Sequence, residues 1–142
     1  MDEADELTVL AHASKQSWKY PQEWMALWAV SLTVTREQLA QWHFELGECD
    51  DGIAGFFAVC LHADFGELEH FWVSPTQGGR GFGRLMFERA LAICRQSGVA
   101  RLRVVSDPNA EGFYRRLGGI VVGQTPSVPA PRMLPVLEFG VA

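Results

Sequence analysis

The run Val73-Ser74-Pro75-Thr76-Gln77-Gly78-Gly79-Arg80-Gly81-Phe82-Gly83-Arg84 constrains this chain most, because a strand ends there in a glycine-rich turn that opens into a helix. Four of the six residues 78–83 are glycine, which lets the backbone bend and come close to a ligand. The first turn of the helix then presents unpaired N–H groups at partial positive charge, and phosphate or pyrophosphate is the natural guest. The run is not a dinucleotide fingerprint, since the third glycine at the required spacing is missing and too little chain follows for repeated strand–helix units. Nor is it a nucleoside triphosphate loop, because no Gly-Lys-Ser/Thr supplies the lysine and the magnesium-binding hydroxyl.

The helix expected over 85–97 carries Leu85, Met86, Ala90, Leu91, Ile93 and Cys94 as a core-facing stripe, and Gly98 stops it. Upstream, 68–73 reads as a buried strand ended by Pro75. A second motif follows, Asp107-Pro-Asn-Ala-Glu-Gly-Phe-Tyr-Arg-Arg-Leu-Gly118, in which Asp107 or Asn109 caps a short helix, Pro108 suits its first position and Gly118 its stop. With both motifs in this order, the chain from about Ile53 onward resembles the GNAT superfamily of N-acetyltransferases. Members of that superfamily pair an (Arg/Gln)-x-x-Gly-x-Gly/Ala loop with a later Asn-x-x-Ala-x-x-Phe-Tyr-x-x-x-Gly-Phe segment. Three positions depart from the pattern. Gly78 stands for Arg or Gln, Asp107 for Asn, and Gly119 for Phe.

A chain of 142 residues, 48% hydrophobic, buries one core but hardly two, so a single domain over 1–142 is expected. The net charge of −5 and scattered Lys and Arg argue against a nucleic-acid partner, while Arg80, Arg84, Arg115 and Arg116 suit a local cationic mouth for an anionic cofactor. Cys49, Cys60 and Cys94 have no metal-ligand spacing, so no metal site is expected, and their odd number fits reduced thiols. The acidic start MDEADE is unlike a secretory signal and no apolar run is long enough to span a bilayer, giving the expectation of a cytoplasmic protein without a membrane partner.

From the N-terminus, Asp5 is expected to cap a helix running to about Trp18, and Pro21 to start a second whose Trp24, Leu27, Trp28 and Leu32 share a stripe. Thr35-Arg-Glu-Gln38 is a capping-box signature for a further helical turn. Residues 42–48 and 53–61 read as a hairpin turned at Asp51-Gly52, followed by strands at 67–73, 100–105, from 119 and over 133–141. The expected fold is mixed α/β of the α+β kind: a mostly antiparallel sheet of six or seven strands flanked by helices, as the resemblance also implies, with the usual first edge strand short or absent.

The resemblance also implies the chemistry: acetyl transfer from acetyl-CoA to a primary amine by direct attack in a ternary complex. The acceptor would be a small molecule, with a peptide as the other option. The backbone of Gly78, Gly79, Arg80, Gly81, Phe82, Gly83 and Arg84 would hold the cofactor's phosphates, with Asp107 and Asn109 also on the cofactor side. A bulge late in the strand before the loop would free an N–H for the thioester carbonyl, which places that role at Phe71, Trp72 and Val73. Strand alternation puts Glu67, Glu69, Phe71 and Val73 on one face and Leu68, His70 and Trp72 on the other. Glu69 is the favoured base, Glu67 the alternative, and Tyr114 matches the tyrosine that protonates the leaving thiolate. The acceptor end would be walled by Trp18, Tyr20, Trp24, Trp28 and residues 127–134, aromatics that suit a flat or partly apolar cation. Two other expectations are a homodimer through the C-terminal strands or the tryptophans, and, as a different class of function, a CoA-binding sensor that transfers nothing.

Overall fold

A computed structural model describes residues 2–77 and 81–141; Gly78, Gly79 and Arg80 of the glycine loop lie outside the described residues. The elements are α1 (Glu3–Gln16), α2 (Gln22–Leu27), α3 (Ala29–Leu32), α4 (Arg36–Gln41), β1 (His43–Cys49), β2 (Gly52–Leu61), β3 (Phe65–Val73), α5 (Phe82–Gln96), β4 (Arg101–Val105), α6 (Glu111–Arg116), β5 (Ile120–Pro126) and β6 (Met133–Gly140). The strands form one six-stranded sheet in the order β1-β2-β3-β4-β6-β5. Only β3 and β4 run parallel, joined through α5 as a crossover requires. Among the described residues no strand precedes α1, so the sheet has six strands.

Each face of the sheet carries its own apolar layer. Phe57, Val59, Leu68, Phe87, Leu102, Val104, Tyr114 and Phe139 form one with α5 and α6. Leu7, Leu10, Met25, Trp28, Leu32 and Phe56 form the other with the N-terminal helices. Each fully buried large side chain contributes about 1.5–3 kcal/mol of transfer free energy.

Local chemistry sets the N-terminal helices, with two corrections to the expected boundaries. The cap of α1 is Asp2, whose carboxylate accepts from the Asp5 N–H, so Asp5 lies inside the first turn. The helix also stops at Gln16, before Trp18: Lys19 takes a left-handed φ of 63°, and Tyr20 precedes a proline that disfavours helical backbone. The expected second helix is two short ones that meet at Trp28, where the indole N–H is drawn away to the Val128 carbonyl at 2.8 Å. Thr35 and Gln38 do form the reciprocal capping box at α4.

The feature that shapes the site is a bulge in β3. Ala58 pairs with His70 and Val59 with Leu68, leaving Glu69 as the extra residue. Strand β2 skips no residue from Gly55 to Leu61 in its pairing with β3, so the side-chain parity of β3 changes at the bulge. Leu68, Phe71 and Val73 all pack toward α5 and α6, while Trp72 packs with the N-terminal helices and His70 lies beside Trp42, Phe44 and Phe56. Strict alternation from Glu67 to Val73 therefore fails. Glu67 and Glu69 share a face, but with His70 and Trp72, not with Phe71 and Val73. The bulge lies at Glu69 and His70, ahead of the expected 71–73. Pairing of β3 with β4 ends at Leu68–Val104, and beyond that point the two strands have no common ladder.

Helix α5 starts three residues earlier than expected, at Phe82, and its N-cap Gly81 has a left-handed φ of 76° that a side chain would strain. The Phe82 ring clamps this helix start onto the sheet. A Cβ on Gly47 would sit 2.4 Å from the ring, and one on Gly55 would sit 2.7 Å from it and 2.8 Å from the Trp72 carbonyl oxygen. Gly55→Ala therefore has backbone on one side and a clamped ring on the other. Overpacking of that kind is expected to cost about 1–3 kcal/mol, read as a lower midpoint in thermal or urea unfolding. An unchanged midpoint would mean that Phe82 does not hold the helix start.

Candidate functional site

Where β3 and β4 part, the sheet opens into a cleft of about 600 Å³. Its walls include Glu69 to Val73 from β3, Val104 to Asp107 beyond β4, Phe113 and Tyr114 from α6, Gly81 and Arg84 at the start of α5, and Ser14 and Trp18 at the end of α1. The Ser74 N–H donates to the Ala54 carbonyl on β2 at 2.8 Å. Backbone donors alternate along a strand, so the Trp72 N–H also points to β2, while those of Phe71 and Val73 point to the unpaired edge and the cleft. Of the three residues expected to offer an N–H, the geometry selects Phe71 and Val73.

On the α1 side of the cleft, the carboxyls of Glu67 and Glu69 lie within hydrogen-bond reach of each other, and Glu67 also meets the His62 ring at 3.0 Å. Burial first, then the charge and hydrogen bond of Glu67, push the Glu69 carboxyl up to about 7. His70 is buried, 4% exposed, and burial pulls its imidazole down to about 4, so it is neutral at physiological pH. On the other side, the Tyr114 ring packs among Phe71, Phe87, Phe113 and Phe139, and burial pushes its phenol up. Among the described residues its hydroxyl has no hydrogen-bond partner. At Gly119, where the superfamily pattern has Phe, the Phe139 ring fills the space: an added Cβ would lie 2.6 Å from it.

At the start of α5, the Leu85 N–H donates to the Gly81 carbonyl, and the amides of Phe82, Gly83 and Arg84, the first turn of a 15-residue helix, have no partner among the described residues. Arg84 and Arg116 border the cleft; Arg115 turns to Glu111 at 2.7 Å and does not. Arg80 lies outside the described residues, as do Gly78 and Gly79.

Trp18 lines the cleft, but Tyr20, Trp24 and Trp28 do not. They form an aromatic box already filled by two cations of this chain. Lys15 lies 5.2 and 4.6 Å from the Tyr20 and Trp28 rings, and Arg132 lies 5.3 and 4.6 Å from the same two. Both cations converge on Asp107, Lys15 by a direct ion pair and Arg132 at 3.5 Å. The Tyr20 hydroxyl donates to Asp107 at 2.9 Å, and accepts from Asn109 and Arg132. Asp107 also caps the turn at 108–110 by accepting from the Asn109 N–H at 2.8 Å. Burial pushes its carboxyl up, but the hydrogen bond and charge of Lys15, with the donors from Asn109 and Tyr20, outweigh this and hold it below the usual range. Burial pulls the Lys15 ammonium down.

The sequence pointed to Asp107 and to the aromatics, which it placed at the acceptor end; it put His70 on the face opposite Glu69, and it gave no role to Lys15 or Arg132. Lys15 does fall on the α1 stripe with Leu7 and Ala11 at helical spacing, which is the one signal that a lysine there is inward. Arg132 comes from the opposite end of the chain, and nothing local marks it.

Residues 6–119 match the acetyltransferase (GNAT) family, which covers most of the chain. The chain belongs to this family. A serotonin N-acetyltransferase 2, chloroplastic, from Oryza sativa subsp. japonica is 41% identical over 46 residues, 32% of this chain and 23% of that relative, so the match spans about a quarter of the relative's length. Among solved structures, the PaiA N-acetyltransferase of Thermoplasma acidophilum, in complex with coenzyme A, superposes with a TM-score of 0.76 at 17% identity over 97% of this chain and 92% of that one. An aminoglycoside 6′-N-acetyltransferase complexed with coenzyme A gives 0.74 at 13% identity over 98% and 91%. These likenesses show the six-stranded fold. No described helix is long and apolar enough to cross a membrane.

The Lys15–Asp107 pair gives a signed stability prediction. Lys15→Met leaves the half-buried Asp107 with less compensation, and breaking a pair of that kind costs up to about 3 kcal/mol, the lower end of the range for fully buried pairs. The folded Asp107 carboxyl is depressed in the wild type, so its stabilisation is complete above the ordinary value of 3.8 and is lost as pH falls through the lower folded value. In Lys15→Met the loss should be largest near pH 7 and shrink below pH 3.8, measured by urea unfolding at both. A loss equal at both pH values would remove the electrostatic account.

Proposed function

We propose that the protein transfers an acetyl group from acetyl-CoA to a primary amine of a small acceptor, by direct attack in a ternary complex formed within this one domain. The observation that carries this reading is the parted β3–β4 edge. There, the amides of Phe71 and Val73 face the same cleft as a half-buried carboxyl from one side of the sheet and a buried phenol from the other. That is the set of groups an aminolysis of a thioester requires.

The first turn of α5, with Arg84 and Arg116 nearby, receives the cofactor's phosphates, and the glycine loop at 78–80 completes the cradle in this reading. Asp107 and Asn109 border the cleft from the β4 side, where their mutual hydrogen bond shapes the cofactor wall. The thioester lies along the free edge of β3, its carbonyl oxygen accepting from the Phe71 or Val73 amide. Glu69, with Glu67 beside it, removes a proton from the acceptor ammonium. The neutral amine then forms the new C–N bond, and the carbonyl electrons move to an oxyanion held by the strand amides. On collapse the C–S bond breaks, the sulfur takes the Tyr114 proton, and the nitrogen, cationic since its attack, releases its extra proton to solvent. Solvent then reprotonates the phenol and receives the proton that Glu69 took. The raised phenol keeps its proton throughout the neutral range, so it meets the sulfur as an O–H donor. Trp18 stands at the acceptor side of the cleft, while the box of Tyr20, Trp24 and Trp28 supports the wall from behind.

Calorimetric titration with acetyl-CoA, followed by thiol release with an amine panel, tests the proposal as a whole. Micromolar binding and amine-dependent release are expected, and absence of both would remove it. A base that works only when ionised makes kcat/KM rise with pH through about 7, the value to which Glu69 is pushed. Glu69→Gln should lower kcat by roughly 10²–10⁴ without changing the affinity for acetyl-CoA. If Glu67→Gln has that effect and Glu69→Gln does not, the roles exchange. Tyr114→Phe should lower kcat with little change in cofactor affinity; unchanged turnover would return Tyr114 to a packing role.

A further inference from the structure

The bulge brings a second polar group to the acceptor side of the cleft. Because Glu69 is the extra residue of β3, His70 projects to the same face as Glu69, and it lines the cleft. Its ring is enclosed by Trp42, Phe44 and Phe56, with ring centroids 5.7–6.3 Å away. Trp72 Nε1–H donates to His70 Nδ1 at 3.0 Å. An indole N–H is a donor only, so Nδ1 must be the acceptor, and the one proton of the neutral imidazole then sits on Nε2. Among the described residues Nε2 has no hydrogen-bond partner, yet it is not sealed from solvent, although the residue as a whole is only 4% exposed. A donor of fixed direction, without a partner among the described residues, therefore belongs to a side chain of the cleft wall, next in the chain to Glu69.

We infer that His70 determines acceptor specificity: its Nε2–H receives a hydrogen-bond-accepting oxygen of the substrate, so that the preferred acceptors are primary amines bearing a hydroxyl, ether or carbonyl oxygen near the nitrogen. The inference rests on the acetyl-transfer reading of the cleft and names the class of acceptor within it. His70 is no base here, because its one free lone pair is held by Trp72 and its other nitrogen carries the proton. It is also no cation, since burial disfavours the charged ring. What it offers is a single donor in a largely apolar pocket, where an amine without a matching oxygen leaves that donor unpaired and pays for it.

The test uses the full chain saturated with CoA, labelled with ¹⁵N-histidine, and pairs of primary amines differing in one oxygen: propylamine against 2-methoxyethylamine, and 2-phenylethylamine against 2-amino-1-phenylethanol. The expected results are an Nε2–H tautomer for His70, a downfield shift of that proton with an oxygen-bearing amine, and affinity for it about tenfold above its plain partner. Trp72→Phe, which keeps the histidine but frees Nδ1, should erase the preference, and His70→Gln, which keeps a distal N–H, should retain part of it. An Nδ1–H tautomer in the wild type overturns the inference. So does a panel in which no oxygen-bearing amine outbinds its plain partner. Thiol release measured in parallel with acetyl-CoA and the same amines keeps the two readings apart: selective binding without release sinks acetyl transfer and leaves His70's role standing, while release without selectivity does the reverse.

Discussion

One extra residue in β3 organises the functional half of this protein. A regular strand would carry Glu69, Phe71 and Val73 on a single face and continue its ladder beside a neighbour. With Glu69 bulged, Leu68, Phe71 and Val73 all pack into the α5/α6 layer, while Glu67, Glu69 and His70 reach the other face together. Bulges increase local twist, and the parallel pairing with β4 stops at Leu68, next to this one. The opened edge is where backbone amides lack strand partners, where the cleft forms, and where the catalytic and specificity roles proposed above are located.

The opening has to be held, because an unpaired sheet edge would otherwise close or recruit another strand. Two devices brace it. On the β2 side the Phe82 ring lies against Gly47 and Gly55 and fixes where α5 begins, so the helix start faces the cleft. On the β4 side Asp107 gathers Lys15 from α1, Tyr20 from the following turn, Asn109 and Arg132, joining the first helix to both the segment after β4 and the loop before β6. Two cations around one carboxylate would be unfavourable in an apolar site. The faces of Tyr20 and Trp28 supply the additional negative potential.

Local signals were legible wherever chemistry and neighbours in sequence suffice. The capping box at Thr35 and Gln38, the stop at Gly98 and the cap at Asp107 are each decided within four or five residues. The two glycine-containing motifs carried family and fold for the same reason. Misreadings arose where a distant partner intervened. The first helix is capped by Asp2 rather than Asp5, since both are competent and the chain uses the one that leaves Arg36 paired with the same carboxylate. The aromatics Tyr20, Trp24 and Trp28 were expected to wall the acceptor end, but they lie off the cleft, and the cations on Tyr20 and Trp28 are this chain's own Lys15 and Arg132, the second of them more than a hundred residues away in sequence.

The sequence by itself determined the element order, the helix that follows the glycine-rich run, the second motif with its tyrosine, and hence membership of an acetyltransferase family. Each of these follows from local backbone preference and residue type. Only the tertiary structure decided which side chains of β3 share a face, since a bulge is set by the register against β2 and leaves no mark in the strand's own composition. It likewise decided that Asp107 is a half-buried anchor as well as a cap, and that Trp72 holds the Nδ1 of His70 beside Glu69. Those facts depend on groups brought together from separate parts of the chain, and period-two alternation read along one strand cannot contain them.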